Sequence, residues 1–183
     1  MLMRKLSFLL SLVLFIPLVA YSQGKGRVPQ NAISADSIML YVGRYPCSDR
    51  AGKGHWWNHG FLAIPFVRDG LKGILGKDYK AYLEFLAFSG CGPIESTADL
   101  LSVDLSQLHV GGYDSILFVN IVSKDVHLFW LNGTVGEKNY KIYGRHPVPS
   151  EIMKMIVDNM NSGWGHVANF TAVGDSIAIE MNR

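Results

Sequence analysis

The chain has 183 residues, with 17 Lys and Arg, 15 Asp and Glu, and a formal net charge of +2 at pH 7. Arg4 and Lys5 are the only charged residues among residues 1–22, so the remaining 161 residues (183 minus 22) carry 15 basic and 15 acidic side chains. A neutral chain of this length is suited to one domain with a sizeable core, and it gives no indication of a nucleic-acid groove or a polybasic membrane surface.

The first 22 residues have the pattern of an export signal. Arg4 and Lys5 precede an apolar run over residues 6–20, and Ala20-Tyr21-Ser22 has the small-x-small spacing after which signal peptidase cleaves. The apolar run is shorter than the about 20 residues that a retained membrane anchor needs. We therefore expect cleavage after this tripeptide, a mature domain over residues 23–183 without a transmembrane segment, and a periplasmic or secreted location.

Two cysteines, Cys47 and Cys91, belong to the mature chain. In an oxidising compartment we expect them to form a disulfide, which would close a loop of about 44 residues. The alternative is a nucleophilic thiolate at Cys91 with a histidine as its base. Because Cys91 follows the helix predicted below for residues 78–88, it would lie at a helix C-terminus, where the dipole disfavours a thiolate.

The first half of the mature chain gives weak patterns. Residues 37–42 are rich in β-formers and predict a first strand, and residues 61–67 contain Pro65, which predicts an edge strand or a bent segment. Apolar side chains at helical spacing predict a helix over residues 78–88. Residues 96–101 are a candidate for a short helix.

The clearest pattern lies in residues 115–144. Residues 115–122 and 126–131 are two apolar, β-rich runs around a short polar break, which predicts a hairpin. Asn132-Gly133 is a strong turn signal, and residues 138–144 can return as a third strand. The sequence therefore predicts an antiparallel meander.

The faces of the first two strands of the meander indicate where it lies. A two-residue turn at Lys124-Asp125 would pair Val119 with Trp130, whereas a three-residue loop would shift this register. Since side chains alternate along a strand, one face would be fully apolar and the other would mix aromatic and polar residues. Neither face is suited to water, so we expect a central, covered part of the sheet.

Two elements complete the chain. Residues 149–161 have an apolar stripe at helical spacing and predict a helix. Residues 167–181 predict a hairpin with Gly174-Asp175 as its turn, in which Ala172 pairs with Ile177.

The expected fold is a single α+β domain. It combines a mostly antiparallel sheet, formed by the meander 115–144 and the C-terminal hairpin 167–181, with two main helices, 78–88 and 149–161. We expect both helices to pack on one face of the sheet.

Segment 44–60 has a composition that a core does not explain. It carries two tryptophans, two histidines and an asparagine among several glycines, which favours an irregular loop. The candidate binding residues are Arg50, Lys53, His55, Trp56, Trp57, Asn58 and His59.

Three functional interpretations of this segment compete. Trp56 and Trp57 could stack on a sugar or peptide, His55 and His59 could bind a metal, or the cationic side chains could bind an anion. The glycines disfavour a helix that would align the histidines, and the acidic residue of a His-Glu-x-x-His motif is absent. The alternative without a ligand is that the tryptophans plug the end of the sheet while the histidines cap loop backbone.

The sequence contains no nucleophile-elbow, phosphate-loop or dinucleotide-binding motif. We therefore expect an exported, non-enzymatic binding or accessory protein that contacts a protein, glycan or peptide of the cell envelope through segment 44–60. We expect no cofactor and assign no metal. The alternative is a small extracytoplasmic hydrolase that uses His55 and His59, with or without a metal, and a carboxylate such as Asp49.

Overall fold

The computed structural model describes residues 35–48, 55–107, 113–133, 140–166 and 168–182. The predicted export signal, its cleavage site and the predicted binding residues Arg50 and Lys53 lie outside these ranges.

The described residues form four α-helices, five short 3-10 turns and eight strands. The helices are α1 (Ala35–Ile38), α2 (Pro65–Leu75), α3 (Tyr79–Ala87) and α4 (Ser150–Trp164), and the 3-10 turns are Met39–Tyr41, Pro46–Ser48, Trp56–Asn58, Gly60–Ala63 and Gly76–Asp78. The strands are β1 (Ser89–Cys91), β2 (Glu95–Thr97), β3 (Leu100–Gln107), β4 (Tyr113–Asn120), β5 (Val126–Asn132), β6 (Tyr140–Tyr143), β7 (Ala168–Val173) and β8 (Ser176–Met181). None of the helices in these ranges is long and apolar enough to cross a membrane.

Six of these strands form one antiparallel sheet. Its order is β1-β3-β4-β5-β6, and β2 also pairs with β3, beside β1 on the side away from β4. The strands β4, β5 and β6 are the predicted meander, which is confirmed together with the α+β class and the helices predicted over residues 78–88 and 149–161.

The central sheet is covered on both faces. On one face Leu117 and Leu128 pack with α2, α3 and the 3-10 turns, and on the other face Phe118 and Phe129 pack with α4 and the C-terminal hairpin. The predicted central position of β4 and β5 is confirmed, but the prediction that both main helices share one face is wrong. Because both faces of these strands carry large apolar side chains, each needs its own covering layer.

The register predicted for β4 and β5 is wrong by four residues. Val119 lies opposite Val126, not opposite Trp130, and residues 121–125 form the connection. The Asn120 side chain explains this longer turn. Its Oδ1 accepts hydrogen bonds from the backbone N–H groups of Val122 and Ser123, at 3.0 and 2.8 Å. A shift by an even number of residues leaves each side chain on its predicted face.

The strand predicted over residues 37–42 and the edge-strand alternative for residues 61–67 are also wrong. Residues 37–42 form helical turns in which Ile38 and Tyr41 are buried, so the apolar residues follow a spacing of three and not of two. Residues 61–67 contain the end of a 3-10 turn and the start of α2, with Pro65 as the first helical residue. Proline is well suited to that position because the N–H it lacks would have no partner inside the helix.

Residues 96–101, predicted as a short helix, form the end of β2 and the start of β3. Ala98, with a φ of +50°, lies in the turn between these strands. Leu100 and Leu101 pair with β4 on the other side, so long-range pairing outweighs the local helical signal.

The C-terminal half agrees more closely with the sequence. The helix α4 ends at Trp164, one turn beyond the predicted end at residue 161. The strands β7 and β8 have the predicted register, with Ala172 opposite Ile177. This hairpin is a separate two-stranded sheet, and it packs in the same apolar cluster as α4.

Two side chains bind the outer edges of the C-terminal hairpin. The Asn161 amide accepts a hydrogen bond from the Phe170 N–H at 2.9 Å and donates one to its carbonyl at 3.0 Å. The Tyr140 hydroxyl accepts from the Ile177 N–H at 2.9 Å and donates to its carbonyl at 2.7 Å. Since a lone two-stranded sheet is marginally stable, these contacts fix it to the domain and protect both edges.

Candidate functional site

The two tryptophans of segment 44–60 are anchored in the core. Trp56 is 4% exposed, and its indole N–H donates a hydrogen bond to the carbonyl oxygen of Leu86 at 3.1 Å. Trp57 is 8% exposed and packs edge-on against Trp56, with ring centroids 6.0 Å apart. The His55 ring stacks on Trp57 at 4.3 Å between centroids.

This burial bears on the interpretations drawn from the sequence. Stacking on a sugar needs an exposed flat ring, whereas both indole rings belong to the main apolar cluster and His55 stacks on Trp57. The burial agrees with the alternative in which the tryptophans fill the core. The sequence misses this because neighbouring residues on an irregular loop have no fixed periodicity from which to assign a face.

The polar neighbours of the tryptophans face solvent. His55, Asn58 and His59 are exposed, and the backbone between them forms the 3-10 turn Trp56–Asn58. Residues 55–59 of the segment therefore consist of a buried aromatic half and an exposed polar half. Its exposed half can make hydrogen bonds through two imidazoles and one amide.

A disulfide joins the beginning of segment 44–60, at Cys47, to the main sheet. Cys47 and Cys91 are bonded, as predicted, with Cα atoms 5.9 Å apart. Both cysteines of the chain are used, which leaves no thiol for the nucleophile alternative. Cys91 lies in β1, so the bond joins the segment directly to an edge strand of the main sheet.

Backbone hydrogen bonds continue this attachment. The Gly43 N–H donates to the carbonyl of Ile94 at 2.8 Å, and the Ile94 N–H donates to the carbonyl of Arg44 at 2.9 Å. The Cys47 N–H also lies 3.0 Å from the Sγ atom of Cys91. Residues 43–47 thus run beside residues 91–94 with their backbone held in place.

The fixed backbone exposes apolar side chains that the sequence alone does not assign to the site. Tyr45 is 51% exposed and Leu40 is 55% exposed, and Met39 and Val42 are also exposed. Phe88, which is 71% exposed, lies in the chain between Leu86 and Cys91, the two residues to which the segment is attached. The spacing of three that buries residues 38 and 41 is the sequence signal that could have identified these exposed positions.

The metal interpretation requires further ligands beside His55 and His59. Over the ranges that the structure describes, no three His, Cys, Asp or Glu side chains come together as a metal-binding group. Arg50 and Lys53, the cationic candidates of the same segment, lie outside those ranges.

A second group of titratable side chains lies on the face of the sheet covered by α4. Burial raises the pKa of Asp104 above its ordinary value, and the nearby charges of Glu95 and Asp114 raise it further, against a hydrogen bond from Asn159 at 2.9 Å. Burial likewise raises the pKa of Asp114, whose carboxylate accepts a hydrogen bond from Trp164 at 3.3 Å. Strand pairing brings these carboxylates together, so they are not recognisable from the sequence alone.

Comparison of the chain with protein-family models, with curated proteins and with solved structures finds no match.

Proposed function

We propose that this protein is an exported accessory protein that binds a partner of the cell envelope through segment 44–60. The segment supplies exposed polar side chains at His55, Asn58 and His59, and it also carries Tyr45, which is exposed. The disulfide supports the exported location, because such bonds persist in oxidising compartments.

The observation that carries the proposal is the way in which the segment is held. Its two tryptophans lie in the core, and the disulfide joins its first half to β1. Side chains held beside such buried anchors lose little conformational entropy when they bind, so His55, Asn58 and His59 can contribute directly to affinity. Functional residues on loops that a rigid scaffold positions are common in binding proteins.

Affinity capture tests the proposal, with variants chosen by exposure. Substitution of the tryptophans would disturb the core, so the informative protein is the triple variant His55→Ala, Asn58→Ala and His59→Ala. We expect the wild-type protein, purified from its own export compartment, to retain cell-envelope components that the triple variant does not retain. Val173→Ala, which alters an exposed side chain on the C-terminal hairpin, is the matched control and should behave as the wild type.

Two measurements make the result decisive. The triple variant must remain folded with a cooperative transition, and a small fall in its melting temperature is expected because His55→Ala removes the ring that stacks on Trp57. Equal capture by the wild type and a folded triple variant would contradict the proposal. Metal analysis of untagged protein addresses the hydrolase alternative, because stoichiometric zinc that His59→Ala removes would favour an enzyme.

A further inference from the structure

The chain contains one asparagine that is followed directly by glycine, in the dipeptide Asn132-Gly133. Asn132 is the last residue of β5, where it pairs with Tyr113, and its side chain is exposed. Gly133 follows the strand and has a φ of +129°. The dipeptide therefore stands at the surface at the end of a strand, where the backbone opens locally more easily than in the centre of a sheet.

The carboxamide of Asn132 is not held by the fold. Of the asparagines that the structure describes, five make a hydrogen bond through the side chain: Asn120, Asn159, Asn161, Asn169 and Asn182. Within the same part of the chain, no hydrogen bond joins the side chain of Asn132 or that of Asn58 to another group. Because an asparagine side chain is short, such a carboxamide can turn toward the backbone that follows it.

The residue after each free asparagine determines how open the next backbone nitrogen is. After Asn58, the His59 N–H donates a hydrogen bond to the carbonyl of Trp56 at 3.1 Å, so this nitrogen is engaged. After Asn132 comes glycine, which has no Cβ atom to shield its backbone nitrogen. Asn132 thus combines a free carboxamide with an unshielded neighbouring amide.

We propose that Asn132 is a site of spontaneous covalent modification, at which the side-chain amide becomes a carboxylate. In the first step the backbone nitrogen of Gly133 loses its proton to solvent and attacks Cγ of Asn132. A new carbon–nitrogen bond forms, and the bond from Cγ to the side-chain nitrogen breaks. Solvent returns the proton to the leaving nitrogen, which departs as ammonia, and a five-membered cyclic imide remains.

Water completes the reaction by opening the imide at one of its two carbonyl groups. Opening at Cγ gives an aspartate with the ordinary backbone. Opening at the main-chain carbonyl gives an isoaspartate, whose backbone runs through Cγ and is longer by one methylene group. No oxidant or reductant takes part, and either product adds one carboxylate that is ionised at neutral pH. The modification is independent of the proposed function.

Incubation of the purified protein at neutral and mildly alkaline pH tests the proposal. Isoelectric focusing follows the more acidic form, and digestion with mass spectrometry locates the residue whose amide nitrogen has been replaced by oxygen. We expect conversion at Asn132 to be about tenfold faster than at Asn58, because only Gly133 leaves its nitrogen unshielded. The rate should rise with pH, since the attacking nitrogen must be deprotonated.

Two variants identify the source of the acidic form. Asn132→Gln moves the amide carbon one methylene group further from the backbone nitrogen and should abolish the acidic form. Asn169→Gln is the matched control, because Asn169 is also exposed in a strand but donates a hydrogen bond to Asn182, and it should leave the acidic form unchanged. Asn132→Asp provides the standard for the ordinary aspartate product.

The same chain unfolded in guanidinium chloride shows how fast Asn132 reacts without the fold. Conversion in the unfolded chain but not in the native protein would overturn the proposal, because it would mean that the end of β5 keeps the two groups apart. An acidic form that maps to another asparagine, or that persists in Asn132→Gln, would overturn it as well. The map of the wild-type protein decides the question even if Asn132→Gln does not fold.

Discussion

Removal of the disulfide tests how firmly segment 44–60 is attached. The double variant Cys47→Ser, Cys91→Ser opens a loop that spans a sequence separation of 44 residues. In the chain-entropy model, closing a loop of this length is worth about 4 kcal/mol at 25 °C. For a domain of this size we expect the melting temperature to fall by about 8–16 °C.

Urea unfolding followed by tryptophan fluorescence measures the global effect, and amide hydrogen exchange measures the local one. Because the bond fixes residues 43–47 beside β1, we expect their amides to lose protection before those of β4 and β5. Reduced wild-type protein with alkylated thiols is the chemical counterpart of the variant and should lose stability in the same way. A loss below about 1 kcal/mol, or unchanged exchange in residues 43–47, would contradict this description of the segment.

Three further predictions test other parts of the fold. Tyr140→Phe removes both hydrogen bonds to the Ile177 backbone and should lower the free energy of unfolding by about 1–3 kcal/mol in urea titrations. Gly144→Ala should lower it by more than about 1 kcal/mol, because Gly144 has a φ of +136° and a Cβ atom there would collide with the His127 ring. Asp104→Asn should raise stability at pH 7, and the gain should shrink as the pH falls toward the ordinary aspartate pKa. The sign follows because the pKa of Asp104 is raised in the native state, so the wild type loses stability as the pH rises through that pKa.

Each of these predictions has a distinct contrary result. Tyr45→Phe removes an exposed hydroxyl and should change the free energy of unfolding very little. If Tyr140→Phe has no larger effect than Tyr45→Phe, Tyr140 does not hold the hairpin edge as described. Gly73→Ala adds a Cβ atom with no neighbour within 4 Å inside α2 and should be stabilising, in contrast to Gly144→Ala. A gain from Asp104→Asn that stays constant between acidic and neutral pH would show that burial of charge is not its cause.

The sequence predicts the part of the fold in which local pattern and tertiary structure agree. The C-terminal hairpin has the predicted register because its Gly174-Asp175 turn and its alternating apolar face specify the same pairing. The strands β4 and β5 have the predicted faces but not the predicted register. Both of their faces carry large apolar side chains, so the pattern does not fix the pairing, and the Asn120 side chain determines the longer turn.

The sequence fails where a residue's role depends on distant elements. Pro65 excludes a central strand, but it fits both an edge strand and the first turn of a helix. Only the packing of α2 on the sheet distinguishes these two possibilities. Trp56 and Trp57 are identified as unusual, but the burial of Trp56 depends on α3, which supplies the carbonyl of Leu86. The pair Asp104 and Asp114 requires the register of β3 and β4, which single-sequence patterns do not provide.

The measurement that tests the central claim most directly is position-resolved photo-crosslinking in the native export compartment. A photoreactive residue in place of Asn58, in the exposed half of segment 44–60, is compared with the same residue in place of Val173 on the C-terminal hairpin. The account predicts a discrete adduct from position 58 that excess unlabelled wild-type protein abolishes and the triple variant does not, with no such adduct from position 173. Identical adducts from both positions, or none from position 58 in folded protein, would contradict it.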